Sequence, residues 1–193
     1  MGQRWGYAEF ARIPGDRNRN EVIAGDICVS PRPSPRHQRA LLRTLGRLHG
    51  FVDEHALGEV LIGPIDVLFG DEDFIEPDAV FIRRERFGII SDRGIEAAPD
   101  LIIEIVSPAT SHQDRVIKRE RYAYFGVPEY WIVDYEATQV EVYRLLQDPL
   151  RPTIYTDKFK WQPYPGGPAL ILSVRDITNG SSWVMSSPVD SDS

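Results

Sequence analysis

One apolar run with an acid inside it constrains this chain more than any other feature. Residues 100–106 read Asp-Leu-Ile-Ile-Glu-Ile-Val. As a strand, they place Leu101, Ile103 and Ile105 on one face and Asp100, Ile102, Glu104 and Val106 on the other. The run is too apolar for a sheet edge, so the strand is predicted to be central. Burying a carboxylate such as Glu104 there is costly unless it is paired or bound to a metal. Ser107-Pro108 ends the strand, because proline cannot extend the ladder. A helix is predicted over 111–125, with Ser111 as its cap and Gly126 closing it. On it Asp114, Lys118 and Tyr122, at i, i+4 and i+8, share one face. A strand carrying an acid thus feeds a helix carrying a lysine.

Length and composition narrow the setting. At 193 residues, 42% hydrophobic and 26% charged, the chain fits one soluble globular domain with room for a core. No run approaches the roughly 18 apolar residues of a membrane span, and the opening residues lack the apolar stretch of a signal peptide. The one cysteine, Cys28, rules out an intramolecular disulfide and argues against a cysteine-rich zinc site. A cytoplasmic protein without a membrane partner is the expectation. The net charge of −7 argues against nucleic-acid binding by bulk electrostatics, but leaves room for a local basic groove.

Taken in order, residues 1–20 are polar and expected to be loosely structured, 21–180 to form a single domain, and 181–193 to be a disordered Ser-rich tail. A hairpin is predicted over 21–29, turning at Gly25-Asp26. A helix follows over 35–55, with Ser34 as N-cap, Pro35 at N1 and Leu41, Leu45, Leu48 and Val52 as its apolar stripe. Residues 59–69 read as a strand pair or one strand bent at Gly63-Pro64, and 74–82 as the next strand, with Pro77 forcing an edge or bulge. Beyond the central strand and helix, 129–134 and 139–145 form a hairpin, with further strands over 153–161 and 169–174. The order helix, strand, strand, strand, helix, strand, strand gives an α/β or α+β fold around a mixed central sheet flanked by helices.

Asp78 and Glu104 fall on successive core strands. If those strands are neighbours, the two carboxylates converge on one hard cation, with the Ile105 carbonyl as a further oxygen ligand. Lys118 can reach the same spot, where an ammonium stabilises charge in a phosphoryl transition state. The bland alternative makes Asp78 a turn residue after Pro77, and Asp114 and Lys118 an ordinary i,i+4 ion pair. Glu104 is hardest for that alternative to explain. Glu21 is a candidate third acid or a solvated hairpin carboxylate. His37, in the first helical turn, is a site contact or a surface residue. Tyr122 and Trp131 could stack on bases, though such aromatics belong more often to a core. Asp100 shares a face with Glu104, but four residues of strand is about 13 Å, too far to share a metal.

Together these segments resemble a known family. Pro77-Asp78, the PDLIIEIVSP run around Glu104, Asp114, Lys118 and Tyr122, then GVPEYWIVD and VEVY, are similar to the Uma-type endonuclease family of the PD-(D/E)XK (restriction-endonuclease-like) superfamily. The resemblance covers roughly residues 21–146, including Glu21, Gly25 and His37. It implies an αβββαβ nuclease core, a Mg²⁺ or Mn²⁺ cofactor and hydrolysis of DNA phosphodiesters, with Asp78 and Glu104 as metal ligands. The superfamily also suggests a homodimer. In the superfamily pattern the lysine lies two residues after the second acid, where this chain has Val106; Lys118 is the natural substitute. The rival reading is a nuclease fold kept as a non-catalytic module that binds nucleic acid or protein. The intact acid pair favours the enzyme, and the displaced lysine and acidic net charge favour the rival.

Overall fold

The computed structural model describes residues 19–70 and 72–179. The expected loose start (apart from its last two residues) and the expected tail therefore lie outside the described residues. The chain opens with a hairpin, β1 (Arg19–Ile23) and β2 (Asp26–Ser30), turning through Ala24 and Gly25 at positive φ. Helix α1 (Pro35–Glu54) follows; the Ser34 hydroxyl accepts from the His37 N–H at 3.2 Å, closing an N-cap with proline in the first turn. Its buried face carries Ala40, Leu41, Leu45, Leu48 and Val52, the apolar stripe predicted from the spacing.

Two six-stranded sheets follow from how the next strands divide. β3 (Gly58–Ile62), β6 (Ala79–Arg83), β9 (Leu101–Val106), β10 (Glu129–Asp134), β11 (Gln139–Arg144) and β12 (Thr153–Tyr155) form the main sheet, in the order β12-β11-β10-β9-β6-β3. β9 and β10 run parallel and the other neighbours antiparallel. β4 (Val67–Gly70), β5 (Asp73–Ile75), β7 (Ile90–Ser91) and β8 (Gly94–Ile95) join the opening hairpin in the second sheet, ordered β2-β1-β5-β4-β8-β7. The helix after β9 starts at residues 111–112, widens into a π-helical turn, Gln113–Lys118, and runs into α2 (Arg119–Tyr124). The core order α1-β3-β6-β9-α2-β10 matches the αβββαβ expectation, and β9 lies centrally in its sheet.

One expectation is corrected. Residues 74–82 are not one strand: β5 belongs to one sheet and β6 to the other, and Glu76, Pro77 and Asp78 carry the chain between them. Asp78 therefore sits immediately before the second core strand, not on it. Pro77 is the physical cause, since it can offer no N–H to a ladder.

The alternation in β9 sorts the core. Leu101, Ile103 and Ile105 pack with α1, Trp131, Phe159 and Trp161. That layer is completed by the hairpin β13 (Lys158–Trp161) and β14 (Leu170–Ser173) and by a short helix α3 (Val174–Thr178). Ile102 and Val106 face the other way, into a core shared with Ile23, Val67, Ile75 and Ile95 of the second sheet and with Tyr122 and Tyr130. Glu104 has the parity of this second face. Trp131 and Tyr122 are fully buried, so neither offers a stacking platform to a base.

Candidate functional site

The site is built where the main sheet runs out of ladder. β6 pairs with β9 through Phe81–Leu101, Val80–Ile102 and Ala79–Ile103. Continued by two residues, that register would set Ile105 opposite Pro77, which has no N–H to give. The Ile105 N–H instead donates to Asp78 Oδ2 at 2.7 Å. In a strand the N–H and C=O of one residue leave by the same edge. The Ile105 carbonyl therefore points to the Asp78 side with no ladder donor from that strand. Proline and aspartate together convert the end of a β-ladder into an oxygen-lined notch.

Glu104 approaches from the adjoining face and is 2% exposed. Its Oε1 accepts from Lys118 Nζ at 2.8 Å and from the Tyr122 hydroxyl at 3.0 Å. Lys118, also 2% exposed, holds Glu21 Oε1 at 2.8 Å and lies 3.7 Å from Asp114 Oδ1. Glu21 is fully buried; it also accepts from the Glu76 N–H at 3.0 Å and from Gln113 Nε2 at 3.0 Å. His37, from the opposite layer, sets Nε2 3.0 Å from Asp78 Oδ2, while its buried Nδ1 has no hydrogen-bond partner among the described residues.

Asp78, Glu104, Ile105, Lys118, His37 and Asp114 thus line one cavity of about 220 Å³. Glu21 meets them from behind, through Lys118. Tyr122 touches Glu104 from within the core.

The π-turn has local support. The Tyr130 hydroxyl donates to the Asp114 carbonyl at 3.2 Å, and Arg119 Nε to the Arg115 carbonyl at 2.9 Å, so side chains serve two carbonyls of the turn. Burial pushes the Asp114 carboxyl above its ordinary range, with Lys118 pulling the other way. The second buried tyrosine, Tyr130, is also raised well above its usual value, by burial first and by Asp114 next.

Residues that sequence reading passed over complete the surround. Gln113 links Glu21 to the Ser30 hydroxyl, which donates to Gln113 Oε1 at 3.1 Å. Thr110 Oγ1 accepts from the Ser107 N–H at 3.2 Å and fixes the bend out of β9. Tyr135 and Arg32 line the cavity mouth. Only the adjacency of Gln113 to Asp114 offered a sequence signal.

The donor set suits a particular kind of cation. Among the described residues, no group of three or more His, Cys, Asp or Glu side chains is disposed to hold a metal ion. Two carboxylates and a carbonyl, with the remaining positions left to water and substrate phosphate, is the pattern Mg²⁺ favours over an all-protein cage.

Comparisons with known proteins agree with one another. Residues 7–175 match the Uma2 family, described as "Putative restriction endonuclease". A crystal structure of a putative nuclease belonging to DUF820 from Anabaena variabilis superposes with a TM-score of 0.71 at 22% identity, covering 90% of this chain and 97% of that one. At that identity the likeness speaks to the fold. No curated protein matches the chain.

Proposed function

The chain belongs to the Uma2 family, and on that premise we propose that it is a Mg²⁺- or Mn²⁺-dependent endonuclease that hydrolyses phosphodiester bonds of DNA. The observation that carries this reading is the convergence of Asp78, Glu104, the Ile105 carbonyl and Lys118 on one cavity. Asp78, Glu104 and Ile105 would hold the cation. When bound, it supplies positive charge at the scissile phosphoryl group and lowers the pKa of the attacking water. The chain's own residues do the rest. Ile105 N–H and His37 orient the Asp78 carboxylate. Lys118, held by Glu21 and Glu104, places an ammonium where charge develops in the transition state. Glu21 fixes Lys118 from behind and anchors the 76–78 segment through the Glu76 N–H. The proposal includes a cytoplasmic homodimer, since a duplex cutter has two strands to reach.

One observation favours the rival, a non-catalytic binding module: Glu21, Glu104, Asp114 and Lys118 are also joined in a buried ion network. The test is incubation of the full chain with duplex and single-stranded DNA in Mg²⁺, in Mn²⁺ and in EDTA, beside Glu104→Gln. Metal-dependent cleavage lost in the variant is expected. A folded wild-type chain that cuts neither substrate with either metal would turn the assignment to the binding module.

A further inference from the structure

A protein of net charge −7 carries five arginines within sixteen residues, Arg32, Arg36, Arg39, Arg43 and Arg47. Four lie on α1. At 3.6 residues per turn, Arg36, Arg39, Arg43 and Arg47 fall within an arc of about 80° and extend over about 16 Å of helix. Arg36, Arg39 and Arg47 are exposed and Arg43 is half-buried. The acids of the helix, Asp53 and Glu54, stand at its far end, and its first turn has none. That distribution opposes the helix dipole, whose amino end is already positive and is stabilised by anions.

The stripe begins at the acid cavity. Arg32 and His37 line that cavity, and Arg36 stacks at 5.1 Å on the ring of Tyr135, another of its walls. His37 presents there a buried Nδ1 with no partner among the described residues. The cations of the helix after β9 are differently placed. Arg115 is committed to Asp134 and Glu141, Arg119 to the Pro149 carbonyl, and Arg121 to Asp73. On α1 the pairs are more exposed or longer. Arg36 with Glu136 at 2.6 Å, and Arg47 with Asp176 at 3.7 Å, are solvent-exposed, and Arg43 reaches the Thr178 carbonyl at 3.5 Å. Exposed pairs of this kind contribute little and exchange readily for a phosphate.

We propose that the arginine face of α1 is the track for the sugar-phosphate backbone of the nucleic acid, leading to and from the acid cavity. This rests on the nuclease reading above and says which surface holds the substrate. Phosphates along α1 would contact Arg39, Arg43 and Arg47 in sequence, without reading bases. The local stripe supplies the attraction that the net charge of the whole chain denies.

The test is fluorescence anisotropy of a labelled short duplex DNA with the full chain in EDTA, over a range of salt. Two double variants with equal net charge are compared. Arg39→Ala with Arg47→Ala removes part of the track; Arg84→Ala with Arg151→Ala removes two exposed arginines elsewhere. Each retained phosphate contact contributes about 0.9 to the slope of log affinity against log salt. The track variant should therefore lose about 1.8 of slope and bind weakly, and the other should match wild type, with both melting like wild type. Equal slopes and affinities in the two variants would overturn the proposal and leave the nuclease reading standing, as would metal-dependent cleavage by a wild-type chain that shows no salt-dependent binding. A wild-type chain that neither binds nor cleaves would remove the nuclease reading itself, and this proposal with it.

Discussion

Strand β9 has Asp100 just before its amino end and Glu104 toward its carboxyl end, and the two are provisioned in opposite ways. At its amino end Asp100 accepts from the Arg83 N–H at 3.0 Å and pairs with Arg86 at 3.0 Å, while Glu129 on neighbouring β10 pairs with Arg144 and accepts from Trp131 Nε1 at 2.6 Å. Two carboxylates there face three guanidinium groups. At its carboxyl end Glu104, Glu21 and Asp114 surround Lys118 while Asp78 faces the same cavity beside His37, so among the described residues four carboxylates meet one ammonium and one imidazole. The first arrangement neutralises itself and anchors a loop. The second, among the described residues, gathers more acids than cations in a buried place, an arrangement that a further cation would complete. Burial of an acid is common to both ends; the balance of charge around it separates an anchor from a site.

The sharpest way to break this comparison is to neutralise one acid at each end. Glu104→Gln should abolish metal-dependent cleavage, yet melt in EDTA at the wild-type temperature or above, since it relieves repulsion among the four acids. Asp100→Asn should keep cleavage. Nuclease assays with parallel melting curves check both, and a Glu104→Gln protein that melts far below wild type in EDTA would make Glu104 an anchor too. Next in size is Lys118→Met. Removing the cation from a buried network costs about 3–5 kcal/mol, a fall in Tm of roughly 6–20 °C for a chain of this length. Mg²⁺ or Mn²⁺ should return part of that loss, and should return nothing to a variant weakened at the amino end. A fall of less than about 1 kcal/mol would mean that the acids do not depend on the ammonium.

Asp100→Ala gives a smaller expected loss, about 1.5–3 kcal/mol for a hydrogen-bonded charge, read by denaturant titration and indifferent to divalent metal. The smallest effect is a pH dependence at Glu129, whose carboxyl burial pushes up against the pull of Arg144. A carboxyl with a raised folded pKa holds its proton more tightly folded than unfolded. Ionisation therefore lowers stability as pH rises through the folded pKa, and the loss is recovered on acidification. Glu129→Gln mimics the protonated form. It should melt slightly above wild type at pH well above the usual carboxylate range, and the margin should close as pH falls into that range.

Much of this contrast was legible because it rests on local pattern. The alternation of β9 gave its two faces, and the oddity of Glu104 among isoleucines marked the site before any geometry did. Ser34-Pro35 and the leucine spacing placed α1 within a residue or two. The break at Pro77 was less well read. Proline signals a bulge, but that it hands the chain from one sheet to another depends on β5 pairing with β1, 50 to 56 residues earlier in sequence, which no local signal encodes. The π-turn was invisible, because Gln113–Lys118 has the composition of an ordinary helix and the wider turn is held by Tyr130 from a later strand. Glu21 stays open between site and surface in the sequence for a related reason: its burial is created by the helix that follows β9, and its own hairpin looks solvated in isolation.

Glu21 also bears on how the molecule comes apart. Its backbone belongs to the second sheet, Glu104 belongs to the first, and Lys118 on the intervening helical turn is bonded to both. Opening either sheet alone would strand a charge in the interior. The two sheets are therefore one cooperative unit, and amide protons of β1 should exchange with solvent at the same free-energy level as those of β9, despite the short strands and small core around β1.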